Sequence, residues 1–164
     1  MKTALLGGLT GSLVLFSPAA GTAAEPSRLV KAEVLITGGV TSFRHQVTVR
    51  SKDPARQVVS VLVGEVPGLP EKPVSLKVPS GWEGRVLERM RPGWVASAVE
   101  VGCLGEESVS EMPGGVETVN PEGCGLRAGD SLKFEFYLSY AADNLRQEPI
   151  FIAFSDGRTG IASR

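Results

Sequence analysis

The stretch Ser131–Tyr140, SLKFEFYLSY, alternates between mostly apolar and mostly polar positions. Successive side chains of an extended strand point to opposite faces, so this period of two predicts a strand with one buried face. The face predicted to be buried carries Leu132, Phe134, Phe136, Leu138 and Tyr140, and the solvent face carries Ser131, Lys133, Glu135, Tyr137 and Ser139.

The same period recurs along the chain. Thr41–Arg50 repeats it, with His45 at one of the positions predicted to be buried. Gln57–Val63 is a short valine-rich run, typical of a strand that is covered on both faces. Ala141–Gln147 has room for one helical turn at most. Further strands are predicted at Leu29–Thr37, Val74–Val78, Arg85–Met90, Trp94–Cys103 and Ile150–Phe154.

Turn residues such as Gly38-Gly39, Pro92-Gly93 and Asp156-Gly157 separate these runs. About eight short strands with turns every 8 to 12 residues favour an all-β fold, an immunoglobulin-like Greek-key β-sandwich. A small β-barrel is the alternative. By length, residues 25–164 form a single domain.

The N-terminus has the order of a secretory signal peptide. Lys2 supplies a positive charge, Thr3–Phe16 is uncharged and mostly apolar, and Ser17–Ala24 is rich in small residues. The apolar run is shorter than the roughly 20 residues that a membrane-spanning helix needs. We therefore expect residues 1–24 to be removed, with cleavage after Ala24 or, nearly as well, after Ala23. The mature protein is expected in the periplasm or the medium, with no membrane insertion.

Two cysteines, Cys103 and Cys124, lie in the mature part. In an oxidising compartment an isolated pair most simply forms one disulfide. No Cys-x-x-Cys motif points to redox or zinc chemistry.

The cysteines bracket a long acidic segment, residues 104–123, with no Lys or Arg between Arg91 and Arg127. One interpretation is a solvated loop that the disulfide holds at its base. The other is an acidic contact surface for a basic partner or, weakly, for calcium, although the ligand spacing of a calcium loop is missing. Its acidic residues are Glu106, Glu107, Glu111, Glu117 and Glu122.

Little in the sequence points to catalysis or to a cofactor. His45 is the only histidine, so a metal site or a catalytic triad would have to depend on it alone. The formal net charge of −1 argues against electrostatic capture of nucleic acid. A carboxylate pair of the kind that hydrolyses glycosides could be drawn only from Glu88, Glu100 and Glu135. No cofactor and no metal are expected.

The residues most suited to surface contact are Tyr137, Lys133 and Glu135, on the solvent face of their strand. Trp82 and Trp94 each follow a glycine at the end of a turn. They are predicted to fill the core, with an exposed platform for stacking on sugar rings as the alternative.

The turns at Pro79-Ser80-Gly81-Trp82 and Pro92-Gly93-Trp94, followed by the strand start Gly129-Asp130-Ser131-Leu132-Lys133-Phe134, resemble those of exported bacterial immunoglobulin- or fibronectin-like β-sandwich proteins. The resemblance covers less than half of the mature chain. It implies the fold and export, and it implies no active site.

These features favour a secreted, non-catalytic β-sandwich that acts by surface contact, as an adhesion, envelope-associated or accessory interaction module with a protein or glycan partner. The alternatives are a carbohydrate-binding module that uses aromatic stacking and a small carboxylate-dependent hydrolase.

We expect reduction of a Cys103–Cys124 disulfide to lower the melting temperature by several degrees. Closing a loop of about 20 residues stabilises a fold by about 3 kcal/mol in the chain-entropy model. Calorimetry with and without reductant measures the shift, and thiol titration verifies that reduction is complete. An unchanged melting curve of the fully reduced protein would contradict the prediction.

Overall fold

A computed structural model describes residues 25–104 and 125–164. Within these ranges the regular structure is β-strand, apart from a short 3-10 helix at Asp143–Arg146, and no helix is long and apolar enough to cross a membrane. The predicted all-β class is therefore confirmed, with one strand more than the eight expected. The strands are β1 (Glu25–Gly38), β2 (Phe43–Ser51), β3 (Val58–Val63), β4 (Ser75–Lys77), β5 (Trp82–Arg91), β6 (Trp94–Cys103), β7 (Ser131–Leu138), β8 (Phe151–Phe154) and β9 (Thr159–Ser163).

The strands are hydrogen-bonded in the order β4-β7-β2-β1-β9-β8-β3-β6-β5. The long strand β1 joins two layers. Its part Val30–Gly38 pairs antiparallel with β2, whereas Glu25–Ser27 pairs parallel with β9. The register with β9 shifts between Ser27 and Lys31. We call β4, β7, β2 and the second part of β1 the first sheet. The first part of β1 and β9, β8, β3, β6 and β5 form the second sheet.

The strand order is that of an immunoglobulin-like sandwich. Immunoglobulin domains place strands A, B, E and D in one sheet and C, F and G in the other. Strands β1, β2, β7 and β4 reproduce the first set, and β3, β8 and β9 reproduce the second. The hairpin of β5 and β6 extends the second sheet beyond β3. The predicted sandwich is therefore confirmed.

The two strands at the ends of the sheet order, β4 and β5, come close to each other, as neighbouring strands of the predicted β-barrel alternative would. A Cβ added to Gly84 of β5 would lie 2.6 Å from a Leu76 methyl carbon and 2.8 Å from a Val78 methyl carbon. The edge strand β4 and the residues after it thus pack directly on the backbone of β5. No backbone ladder joins the two strands within the described ranges.

Inward side chains of both sheets form one apolar cluster. The burial pattern of β7 alternates as predicted, and His45, Val47 and Val49 of β2 are fully buried. Strand β3 is covered on both faces, as its valine run predicted. Burying each large apolar side chain contributes about 1.5–3 kcal/mol. The central members are Val47, Val49, Phe134 and Phe136 from the first sheet and Val61, Val99, Val101 and Ile152 from the second.

The connection from β2 to β3 is held by Asp53, which is 3% exposed. Its carboxylate accepts hydrogen bonds from the backbone N–H groups of Ala55 (3.0 Å) and Arg56 (3.2 Å) and from Arg56 Nε (2.9 Å). The Arg56 guanidinium in turn lies 4.0 Å from the centre of the Phe154 ring. Burial alone acts to raise the pKa of Asp53, but these hydrogen bonds and the charge of Arg56 lower it below its usual value.

We expect Asp53→Asn to reduce the free energy of unfolding by about 2 kcal/mol at pH 7, because the amide loses the charge that Arg56 pairs with. Since the folded pKa is lowered, this advantage of the wild type is present above the usual value of 3.8 and is lost as the pH falls further. Urea titration at pH 7 and pH 3 measures both effects. Asp156→Asn, at a more exposed turn, is the matched control, and an equal loss in both variants would contradict the prediction.

Candidate functional site

The outward side chains of the first sheet form a continuous polar surface, which we call the outer face. Inward residues such as Val47 and Phe134 are buried, so the residues that alternate with them point away from the core. The outer face consists of Ser75 and Lys77 on β4, Ser131, Lys133, Glu135 and Tyr137 on β7, Arg44, Gln46, Thr48 and Arg50 on β2, and Lys31, Glu33, Leu35 and Thr37 on β1.

Strand register arranges the outer face in rows that cross the sheet. Neighbouring strands lie about 4.8 Å apart and alternate residues about 6.7 Å apart, so the face measures roughly 20 Å in each direction. The rows are Ser75, Tyr137, Arg44 and Thr37; Lys77, Glu135, Gln46 and Leu35; Lys133, Thr48 and Glu33; and Ser131, Arg50 and Lys31.

The outer face carries an excess of positive charge. Five of its side chains are Lys or Arg and two are Glu, which gives a formal charge of +3. The other residues of the described ranges carry 11 Lys or Arg and 11 Asp or Glu side chains, which cancel. The positive excess of the described part of the chain therefore lies on this face. The cations are Lys31, Arg44, Arg50, Lys77 and Lys133.

Two of the five cations are ion-paired on the face. Arg44 Nη1 lies 3.5 Å from Glu135 Oε1, and Arg50 Nη1 donates to Glu33 Oε2 at 3.1 Å. The structure shows no ion-pair partner for the other three, Lys31, Lys77 and Lys133, among the residues that it describes. Exposed pairs of this kind contribute about 0–1 kcal/mol, so a ligand can compete for their charges.

The structure places the three predicted contact residues of β7 together on the outer face. The Tyr137 hydroxyl donates to Glu135 Oε2 at 3.2 Å, and Lys133 is the next outward residue of the strand. The ammonium of Lys77 lies 5.3 Å from the centre of the Tyr137 ring. Because the ring is half-buried and Lys77 lies over it, little of it is open to a stacking sugar.

The three candidate catalytic carboxylates lie in different places. Glu100, 5% exposed on the second sheet, accepts hydrogen bonds from Arg85 Nε (2.6 Å) and Ser60 Oγ (3.3 Å). Glu88 is paired with Lys72 at 2.9 Å, and Glu135 lies on the other sheet. Glycoside hydrolysis needs two carboxyl groups about 5–9.5 Å apart on opposite sides of one bond. The structure pairs each of these carboxylates with a cation rather than with a second carboxylate.

His45 is fully buried and serves the fold. Its Nδ1–H donates to the Phe43 carbonyl at 3.1 Å, and its Nε2 accepts the backbone N–H of Ala142 at 3.0 Å. Since a carbonyl only accepts and an N–H only donates, these partners fix the neutral imidazole with the proton on Nδ1. The ring also stacks on Phe136, with centroids 5.2 Å apart. The histidine thus fastens the start of the 3-10 helix to β2.

Several predicted residues lie outside the described part of the chain. Residues 105–124, which are not described, include Glu106, Glu107, Glu111 and Cys124. The acidic contact surface and the Cys103–Cys124 disulfide therefore stay predictions.

Trp82 is half-buried and packs against the core, as predicted. The side chain of Trp94 is not among those described. Within residues 25–104 and 125–164, no group of three or more His, Cys, Asp and Glu side chains gathers as metal ligands would.

Four cations of the outer face were not predicted as contact residues from the sequence: Arg44, Arg50, Lys31 and Lys77. The alternation in Thr41–Arg50 did predict the exposed side for Arg44 and Arg50. Their outward positions follow from the alternation in β1, β2 and β4, so the signal was present within each strand. What the sequence did not supply was the order of the strands, which brings these residues beside Lys133.

No protein-family model matches the chain, and no curated protein is significantly similar to it. Among solved structures, the chain is similar to an uncharacterized protein from Nocardia farcinica whose crystal structure reveals an immunoglobulin-like fold. The two are 17% identical, with a TM-score of 0.46, over 80% of this chain and 81% of the other. The immunoglobulin-type strand order rests on the backbone pairing described above and not on this likeness.

We expect His45→Gln to flatten the dependence of stability on pH. Burial lowers the pKa of His45 below 6.5, although the Phe43 carbonyl and the Asp143 charge act to raise it. A lowered folded pKa means that the contribution of His45 is complete above pH 6.5 and is lost as the pH falls, by at most about 1.4 kcal/mol per pH unit.

Urea titrations of both proteins between pH 7.5 and pH 5 measure this difference. The pKa of Glu148 is raised, mainly by burial, which gives a dependence of the opposite sign, but this residue is present in both proteins and cancels in the comparison. Parallel curves for the wild type and the variant would contradict the assignment.

Proposed function

We propose that the exported chain is a non-catalytic contact protein that binds a partner outside the cytoplasm through the outer face. The observation that carries the proposal is the charge of +3 on the outer face, whereas the charges of the other described residues cancel. An excess of charge on one surface steers a complementary partner to that surface.

The N-terminal sequence supports the proposed location outside the cytoplasm. The order of a basic residue, an apolar run and small residues predicts removal of residues 1–24. Cleavage after Ala24 leaves Glu25–Ser27 intact, and these residues pair with β9 in the second sheet. The predicted mature chain therefore keeps all nine strands.

A contact role is also supported by what the candidate catalytic residues do. Both nitrogens of His45 are engaged in hydrogen bonds that hold the fold, and Glu88, Glu100 and Glu135 each lie beside a cation.

Binding of sugars by aromatic stacking is the second candidate function. It would depend on Tyr137, the aromatic residue of the outer face.

We expect the exported protein to co-sediment with the envelope fraction of the cells that produce it, and the variant Lys77→Glu/Lys133→Glu to co-sediment at least tenfold less. Lys72→Glu makes a matched change at a lysine that pairs with Glu88 of β5, away from the outer face. Tyr137→Phe keeps the ring and removes the hydroxyl. Tyr137→Ala removes both.

Loss with the double lysine variant and retention with Lys72→Glu would support the outer face. Loss with Tyr137→Ala alone would favour the stacking candidate. Equal sedimentation of the double variant, Lys72→Glu and the wild type would overturn the proposal, and circular dichroism of each variant confirms that the sheets remain folded.

A further inference from the structure

A diagonal stripe of four cations crosses the outer face, one on each strand. Lys77 of β4 lies opposite Glu135, and Lys133 is the next outward residue of β7. Lys133 lies opposite Thr48, and Arg50 is the next outward residue of β2. From sheet spacings, the first two steps are roughly 8 Å each and the stripe is about 20 Å long.

The last step of the stripe places two like charges side by side. Arg50 and Lys31 are direct register partners of β2 and β1, and both are exposed. Like charges directly opposite each other destabilise a pair of strands. Arg50 is relieved by Glu33, whereas Lys31 has no ion-pair partner among the described residues. An anionic group bound between them would remove this repulsion.

Neutral polar groups lie beside the stripe. Gln46 and Thr48 lie between Arg44 and Arg50 along β2, and Ser131 flanks Arg50 in the last row. Glu135 lies directly opposite Lys77, and its carboxylate is paired with Arg44. Hydroxyl and amide groups both donate and accept hydrogen bonds, so they suit the hydroxyl groups of a sugar chain. The cations and these groups together would recognise a ligand that carries both negative charge and hydroxyls.

The same face is poorly suited to a folded protein partner. Stable protein interfaces bury about 800 Å² on each side and place aromatic or apolar anchors at their centre. A face of roughly 20 Å by 20 Å covers only about 400 Å² in projection. The central positions are polar, and the large aliphatic side chain, Leu35, lies at the β1 end of its row.

We propose that the partner is an acidic polysaccharide, bound as an extended chain along the stripe Lys77, Lys133, Arg50 and Lys31. The inference rests on the proposed function, since it names the class of partner for the same surface. The polymer's carboxylate or sulfate groups meet the four cations, and its hydroxyls meet Gln46, Thr48 and Ser131.

The experiment measures binding of the exported protein to carboxymethyl-dextran and dextran sulfate, with unmodified dextran as the uncharged control on the same backbone. We expect binding to at least one charged polymer, none to dextran, and a steep loss between 0.05 M and 0.5 M salt, because exposed charges are screened. The variant Lys31→Gln/Lys77→Gln/Lys133→Gln should bind roughly tenfold or more weakly, as expected for three exposed charge contacts. Lys72→Gln should bind as the wild type does.

Poly-glutamate separates a sugar polymer from a polypeptide of similar charge. Tighter binding of poly-glutamate than of both charged dextrans would overturn the inference in favour of an acidic protein partner. Failure to bind either charged dextran, with envelope binding through the outer face retained, would overturn the polysaccharide class and leave the contact function standing. A triple variant that binds both the envelope and the polymers like the wild type would overturn both.

Discussion

The register between β2 and β7 is the constraint on which the rest of the structure depends. In this register Val47 faces Phe134 and Val49 faces Leu132 across the buried side of the first sheet, while Thr48 and Lys133 meet on the other side. A slip of one residue would exchange the two faces and drive the cations of one strand into the core. Burial of the apolar set therefore fixes the positions of the outward charges, although those charges contribute little to stability themselves.

The alternation of apolar and polar residues along the chain predicted most of the strands. The order in which the strands pair depends on contacts between residues that are distant in the sequence. The alternation in Ser131–Tyr140 and Thr41–Arg50 was sufficient to assign the buried and exposed sides of β7 and β2 correctly. Strand β9 was missed because Thr159–Ser163 is short and contains a glycine and small residues, and it is held by its neighbours β1 and β8 rather than by its own pattern. The first residues of β1 were missed for a similar reason, since Pro26 is unusual in strands.

The candidate site was only partly predictable from the sequence. Tyr137, Lys133 and Glu135 could be placed on a common face because they lie on one strand. Net charge was misleading, because a value near zero for the whole chain conceals +3 on the outer face, while the charges of the other described residues cancel. Glu100 also differed from the usual behaviour of a charged strand residue. It is almost fully buried because Arg85 and Ser60, on the strands to either side, satisfy its carboxylate.

The close approach at Gly84 affects how the molecule can meet others. Of the two strands that end the sheet, β4 is three residues long, and β5 carries the charged side chains of Glu83, Arg85, Glu88 and Arg89. Short, charged or covered edges discourage the addition of a foreign strand. Leu76 and Val78, lying on Gly84, also make one edge partly cover the other. Addition of an incoming backbone strand is therefore disfavoured at both of these edges.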